Sequence, residues 1–241
     1  MKQKRPLSYS SLKSFNKSPN HLLSYWAKEF KSTPAMAKGS LIHTLILEPE
    51  EFGNRYAVWE GARRAGAEYK EFLKENEGKE ILKASEVDEV VEIISPLKTN
   101  KLLTQLKNTE LLIEWKTNGL DFKGFIDGVG DDYLLDIKTT QDASPESFLR
   151  DVLKYKYHWQ AALYLEAVKT TQDFYIIAVE TSAPYNNQTY KISKELIKKA
   201  TQEIEQACED FKDWDGKPAG YDFNSVLSDN GIMTLEAPIW L

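Results

Sequence analysis

The chain contains one cysteine, Cys208, in 241 residues. A lone thiol excludes an intramolecular disulfide and any zinc or iron–sulfur site built from several cysteines. No apolar run reaches the length of about 18 residues that a membrane-crossing helix needs. The opening stretch, MKQKRPLSYSSLKSF, has charge but no apolar block of the kind a secretory signal carries. The expectation is a cytoplasmic protein with no membrane partner. Internal repeats and low-complexity segments are also missing, and with them solenoid architectures. A basic excess is absent: 31 Lys and Arg face 37 Asp and Glu, for a formal charge of −6. That argues against a protein that coats nucleic acid nonspecifically. It leaves room for a nuclease, which confines its basic groups to one channel while metal-binding carboxylates add negative charge.

Hydrophobic residues make up 41% of the chain, enough for a sizeable core. The length fits one domain, read as an N-terminal helical part (1–108), a sheet with helices (109–212) and a loop-rich tail (213–241).

The stretch at 122–140, FKGFIDGVGDDYLLDIKTT, is the most informative. It reads as a hairpin, with strands at 122–129 and 133–138 and a turn at Gly130, Asp131 and Asp132. Side chains alternate along a strand. Leu134, Asp136 and Lys138 therefore share one face, and Tyr133, Leu135 and Ile137 the other. Asp127, at the end of the partner strand, is expected to meet Asp136 and Lys138 across the hairpin. Two carboxylates with an open side suit Mg²⁺, with the Ile137 carbonyl completing the set. Lys138 would orient or deprotonate an attacking water, or stabilise a pentavalent transition state. An ordinary surface ion pair uses the same residues.

Upstream, helices are predicted at 8–16, capped by Ser8 or Ser10, and at 20–30 after Pro19. His21, Trp26 and Phe30 read as packing. A third helix, 36–47, carries an apolar stripe of Leu41, Ile42, Leu45 and Ile46. His43 sits within it, either as a satisfied core residue or as a metal ligand. Residues 54–84 are poorly patterned, with a short strand at 56–59, Arg63 and Arg64 in a Gly/Ala-rich loop, and a helix at 68–76. The arginines are a solvated loop or a contact to DNA phosphate. A helix at 85–97 takes Ser85 as its cap with Asp88 at the third position, and a short helix follows at 100–107. A strand at 111–117 and the Asn118-Gly119 turn complete an antiparallel meander. Glu110 and Glu114 share a face of that strand, as metal support or as exposed acids.

Downstream, helices are expected at 145–152 and 158–168. In the second, Gln160 and Tyr164 lie one turn apart on one face. Strands at 173–180 and 188–192 and a long helix at 193–211, with Lys198 and Lys199 exposed, close the pattern.

Asp127 followed by Asp136-Ile137-Lys138 resembles the PD-(D/E)xK nuclease motif, with Ile126 where the motif's name has Pro. GSLIH at 39–43 is similar to the helix that carries a metal-binding His in RecB-type nucleases, and Gln160–Tyr164 matches their QxxxY motif. The resemblance extends to the RecE-type phage or prophage exonucleases (exodeoxyribonuclease VIII-like), relatives of lambda exonuclease, through DIKTTQDASPESFLRDVLKYKYHWQAALY. It covers most of the chain, from SYSSLK to about residue 195. Its implications are expectations. The fold would be α/β (α+β), a central mixed β-sheet flanked by helices. His43, Asp127, Asp136 and the Ile137 carbonyl would hold Mg²⁺ or Mn²⁺. Lys138 would be the catalytic lysine, with Gln160 and Tyr164 positioning it or the DNA backbone and Glu110 as a supporting acid. Ser10 and Arg5 would grip a 5′ phosphate. The activity would be 5′-to-3′ digestion of double-stranded DNA ends, leaving 3′ single strands for a single-strand annealing protein in a bacterial host. A ring-shaped trimer or tetramer would make it processive.

Overall fold

The two-residue alternation at the centre of the chain folds as a sheet. The computed structural model describes residues 5–27, 33–169 and 173–221. Helices α1 (Tyr9–Lys17), α2 (Pro19–Ala27), α3 (Pro34–Leu47) and the single turn α4 (Phe52–Arg55) come first. Strand β1 (Tyr56–Trp59), helix α5 (Ala67–Glu75) and strand β2 (Glu80–Lys83) follow, then α6 (Ala84–Ile94) and the single turn α7 (Lys101–Thr104). The meander is β3 (Asn108–Thr117), β4 (Leu120–Val129) and β5 (Tyr133–Thr140). Helices α8 (Pro145–Lys154) and α9 (Tyr157–Ala167) lead to β6 (Asp173–Glu180), β7 (Asn187–Lys191) and the long α10 (Lys194–Asp213).

The five strands β3 to β7 lie in chain order in one mixed sheet. Only β5 and β6 are parallel, and β6 returns to β5 by way of α8 and α9. A parallel neighbour requires such a crossover. The expected mixed sheet flanked by helices is what forms. Each face buries its own core. Leu134, Phe174 and Ile176 pack with Trp159, Leu163 and α10, while Leu135, Ile137 and Ile177 pack with Leu41 and Ile42 of α3 and Ile93 of α6. The alternation read from the sequence for 133–138 is therefore the alternation between two cores.

Several boundaries differ, for local reasons. Helix α6 starts at Ala84 with Lys83 as its cap, and Glu86 rather than Asp88 accepts the Lys83 N–H, at 2.7 Å. The chain leaves β2 directly into this helix, which moves the cap ahead of Ser85. The helix expected at 100–107 shrinks to one turn, capped by the Asn100 side chain, because β3 already begins at Asn108. The N-terminal part is not wholly helical: β1 pairs in parallel with β2, a four-residue strand the sequence did not reveal. Arg64 is neither free nor poised for phosphate, since it binds the Ile81 carbonyl and Glu86. Nor is the tail loop from its start: Trp214 is buried, its ring 5.5 Å from that of Phe15. Phe30 and residues 222–241 lie outside the described residues.

The hairpin turn allows one strict test. The Gly130 N–H donates to the Tyr133 carbonyl at 2.9 Å, and a Cβ on Gly130 would lie 2.1 Å from the Tyr133 ring. That ring cannot swing aside freely, because its hydroxyl donates to the Leu102 carbonyl at 2.6 Å. Gly130→Ala should lower the unfolding free energy in urea by about 1–3 kcal/mol, the usual range for forced overpacking.

A second test concerns His158, which is buried and places Nδ1 3.2 Å from the Val152 carbonyl. Burial lowers its pKa from the ordinary value. The unfolded imidazole titrates near about 6.5. Below that pH the unfolded chain takes up the extra proton first, so stability falls as pH drops through this value until native His158 also titrates. His158→Gln should flatten that fall in denaturation curves measured at a series of pH values.

Candidate active site

Strands β4 and β5 pair only at Val129–Leu134 and Gly128–Leu135. The next pair would be Asp127 with Asp136, and there the strands part. The Asp127 carboxylate takes over the vacated ladder position, Oδ2 accepting the Ile137 N–H at 2.8 Å. Farther along, the freed edge of β4 receives Leu7. Its N–H donates to the Asp121 carbonyl and its carbonyl accepts the Lys123 N–H, both at 2.8 Å. The parting thus creates the site and brings α1 beside it.

Asp127 turns toward α3. His43 Nε2 lies 2.9 Å from the Ile137 carbonyl, and Nδ1 lies 3.5 Å from Asp127 Oδ2. With the Nε2 proton donated to the carbonyl, the Nδ1 lone pair faces the carboxylate. Glu110 completes the group. It interrupts the β3–β4 ladder between Thr109–Gly128 and Leu111–Ile126, with a left-handed φ of 47°. Few residues other than Gly adopt that conformation, and where they do the strain marks a functional constraint. Ligand atoms of His43, Glu110 and Asp127 all lie within 4.8 Å of one another. Burial, and next the Asp127 charge, push the Glu110 carboxyl up to about 7.

Asp136 turns the other way, toward α9. It is almost fully buried; Oδ1 accepts from Gln160 Nε2 at 2.6 Å and Oδ2 lies 2.6 Å from Lys138 Nζ. Burial and the Asp127 charge push Asp136 up to about 6 against the pull of Lys138. For Lys138 burial acts downward, but the charges of Asp136 and Asp127 outweigh it and hold the ammonium above its ordinary range. Tyr164 lies over Gly124, where a Cβ would come within 2.8 Å of its hydroxyl oxygen. That glycine lets α9 settle on the sheet with Gln160 above Asp136. Burial raises the Tyr164 phenol.

The predicted residues therefore form two clusters joined through the backbone of Ile137, the residue between Asp136 and Lys138, whose N–H holds Asp127 and whose carbonyl lies against His43. Glu110, expected as a supporting acid, stands among the ligand atoms, while Asp136 is engaged by Lys138 and Gln160. Ser10 offers its carbonyl to the Ser14 hydroxyl, and the cap of α1 is Ser8. Arg5 lies over the Trp26 ring at 4.5 Å. What α1 contributes beside Lys138 is Tyr9 and Lys13, which the sequence reading missed. The Tyr9 hydroxyl donates to the Tyr155 carbonyl, and Lys13 Nζ lies 3.2 Å from the Tyr9 oxygen. Burial and then the Lys138 charge lower the Lys13 pKa. Tyr157 was also missed; its ring lies 5.1 Å from Lys138 Nζ, and burial pushes its phenol up to about 12. The four-residue spacing of Tyr9 and Lys13 and the aromatic run KYKYHW were the available signals.

A family model described as a PDDEXK-like domain of unknown function (DUF3799) matches residues 8–217. The chain belongs to this PDDEXK-like family. Among solved structures, the PDDEXK-like chain is similar to a candidate exonuclease from Eubacterium rectale, with a TM-score of 0.63 at 15% identity, over 97% of this chain and 90% of that one. A phage-related exonuclease from Haemophilus somnus 129PT gives 0.40 at 17% identity, over 87% and 94% of the two chains. An alkaline exonuclease from Laribacter hongkongensis gives 0.35 at 12%, over 86% and 88%. The first of these likenesses bears out the fold. No curated protein sequence matches the chain.

One imidazole and two carboxylates, one of them pushed toward neutrality by burial and by its neighbour, fit a small divalent cation. Mn²⁺ should raise the melting temperature of the PDDEXK-like domain, and Glu110→Gln or His43→Ala should weaken the apparent metal affinity by about tenfold or more. If His43→Ala lowers the melting temperature and leaves the metal affinity unchanged, His43 is a packing residue.

Proposed function

We propose that the protein is a metal-dependent deoxyribonuclease acting as an exonuclease, 5′ to 3′, on double-stranded DNA ends. The observation that supports this most is the pairing, across the backbone of Ile137, of the His43–Glu110–Asp127 group with the Asp136–Lys138–Gln160 group. His43, Glu110 and Asp127 would hold Mg²⁺ or Mn²⁺, with Asp136 and the Ile137 carbonyl beside them. Such an ion activates a water and offsets the charge that builds on the phosphate. The protein's own groups divide the remaining work. Gln160 fixes one oxygen of Asp136, and Asp136 fixes Lys138. Lys138, held protonated, acts as positive charge and proton donor at the phosphate, not as a free base. Tyr157 and Tyr164 wall the lysine from solvent. Ser10 and Arg5 would contact the 5′ phosphate of the entering end.

The product in this reading is a 3′ single strand, the substrate of an annealing-type recombinase in a bacterial host, and a ring of three or four subunits would keep the enzyme on its DNA. A monomer with full processivity would remove the ring.

Asp136→Asn keeps the shape of the side chain while removing its charge and one of the two oxygens that face Gln160 and Lys138. It should reduce cleavage of linear, 5′-phosphorylated duplex by about a hundredfold or more and leave the fold intact. Lys138→Ala should abolish turnover but retain metal binding. Covalently closed circular DNA should survive; its digestion would establish an endonuclease of the same fold instead. Full activity in either variant would refute the site.

A further inference from the structure

A groove runs between α1–α2 and the corner joining α8 to α9. Its cavity, about 630 Å³, is lined by Lys13, Lys17, Lys154, Lys156, Tyr25 and Tyr155 with His21 and small polar residues, and among the described residues no carboxylate lines it. In a chain of formal charge −6, a surface of mixed sign is the default. Four lysines without an acid among them depart from it. Lys156 pairs with Glu203 at 3.2 Å, whereas among the described residues Lys13, Lys17 and Lys154 have no ion-pair partner. Tyr25 and Tyr155 are 46% and 39% exposed, so each ring keeps an open surface. The backbone of Lys156 is left-handed, with φ 56°, and this turn sets Lys154, Tyr155 and Lys156 along one wall.

The groove adjoins the candidate site through side-chain contacts at both ends. Lys13 reaches Tyr9 at one end. The Tyr155 ring lies 5.6 Å from that of Tyr157, which in turn lies beneath Lys138. Tyr155 and Tyr157 also line a second cavity, of about 390 Å³, with Thr139 and Thr140 at the end of β5 and with Lys38, Asp142 and Asp151.

We propose that this groove binds a single-stranded stretch of DNA, with phosphates against the lysines and bases stacked on Tyr25 and Tyr155, and leads that strand to Lys138. The inference rests on the nuclease reading and adds to it which form of the substrate the protein holds next to the site. Cationic grooves studded with exposed aromatic rings suit unpaired strands, because a base offers its face to a ring only when it has left its own stack. A duplex would use the lysines and leave the tyrosines idle.

The test separates binding from chemistry. Anisotropy of a fluorescein-labelled oligothymidylate, and of a duplex of the same length, is measured in EDTA for the wild type, for the double variant Lys17→Glu/Lys154→Glu and for Tyr25→Leu. Hydrolysis of the p-nitrophenyl ester of thymidine 5′-phosphate with Mn²⁺, a substrate too short to enter the groove, is measured alongside. The double variant should bind the single strand roughly tenfold or more weakly, and the slope of log affinity against log salt should fall by about 1.4, the contribution of two phosphate contacts. Tyr25→Leu should weaken single-strand binding at least about fivefold, leaving the salt slope and the duplex affinity unchanged. Ester hydrolysis should stay at the wild-type level in both. Unaltered single-strand affinity, or an equal loss for duplex and single strand, overturns the groove. Absence of ester hydrolysis in the wild type instead overturns the nuclease reading, and the binding series still decides the groove.

Discussion

The parting of β4 from β5 after Gly128 and Leu135 is the constraint from which the rest follows. A buried backbone N–H left without a partner costs about 1–3 kcal/mol, and Ile137 would carry that cost if the strands simply separated. The Asp127 side chain takes the N–H instead, and His43 takes the carbonyl of the same residue. The backbone of one residue thus fixes a carboxylate from β4 and an imidazole from α3, while the Ile137 side chain anchors β5 in the core behind them. The same parting leaves the edge of β4 open at residues 121–123, and Leu7 fills it. Helix α1 is therefore tied to the sheet by the gap that makes the site.

The electrostatics are those of a site with more negative charge than its protein groups can neutralise. Glu110, Asp127 and Asp136 converge on one region, and Lys138 pairs with only one of them. The excess shows in the upward displacement of Glu110 and Asp136, for which burial and the Asp127 charge are responsible. Like charges held together, with one residue of strained backbone among them, are tolerated where binding relieves them. The division into two clusters keeps the lysine out of that competition. Gln160 and Asp136 hold it on the α9 side, and the imidazole with the two remaining carboxylates stays on the α3 side.

What the sequence disclosed, and what it did not, divides along the range of the interactions. Strand alternation put Asp136 and Lys138 on one face and the helical repeat put Gln160 and Tyr164 on another, while the resemblance to nuclease motifs singled the four out. Both periods are local. His43 stood out as a polar residue in an apolar helix, though only the fold shows that it faces Asp127. The role of Glu110 was hidden because it depends on a left-handed backbone in a strand, which no propensity scale anticipates for glutamate. Tyr9 and Lys13 were hidden because α1 reaches the site through Leu7, a contact more than a hundred residues distant in sequence. A strand at 56–59 was expected, but β2 and its parallel pairing with β1 were hidden for the opposite reason: four residues are too few to display a period.

The overall acidity of the chain and an anionic substrate are compatible because charge acts locally in salt solution. At physiological ionic strength screening extends over about 8 Å, so acidic groups elsewhere on the surface contribute little at any one groove. What a phosphate meets is its nearest few side chains. On one side of the corner between α1 and α9 these are lysines, with no carboxylate among the described residues that line the groove; on the other they are the carboxylates that gather around Ile137. A polyanion would be held by the first and repelled by the second until a cation intervenes. The arrangement makes strand binding separable from metal binding, whereas a uniformly basic surface would bind DNA wherever it touched.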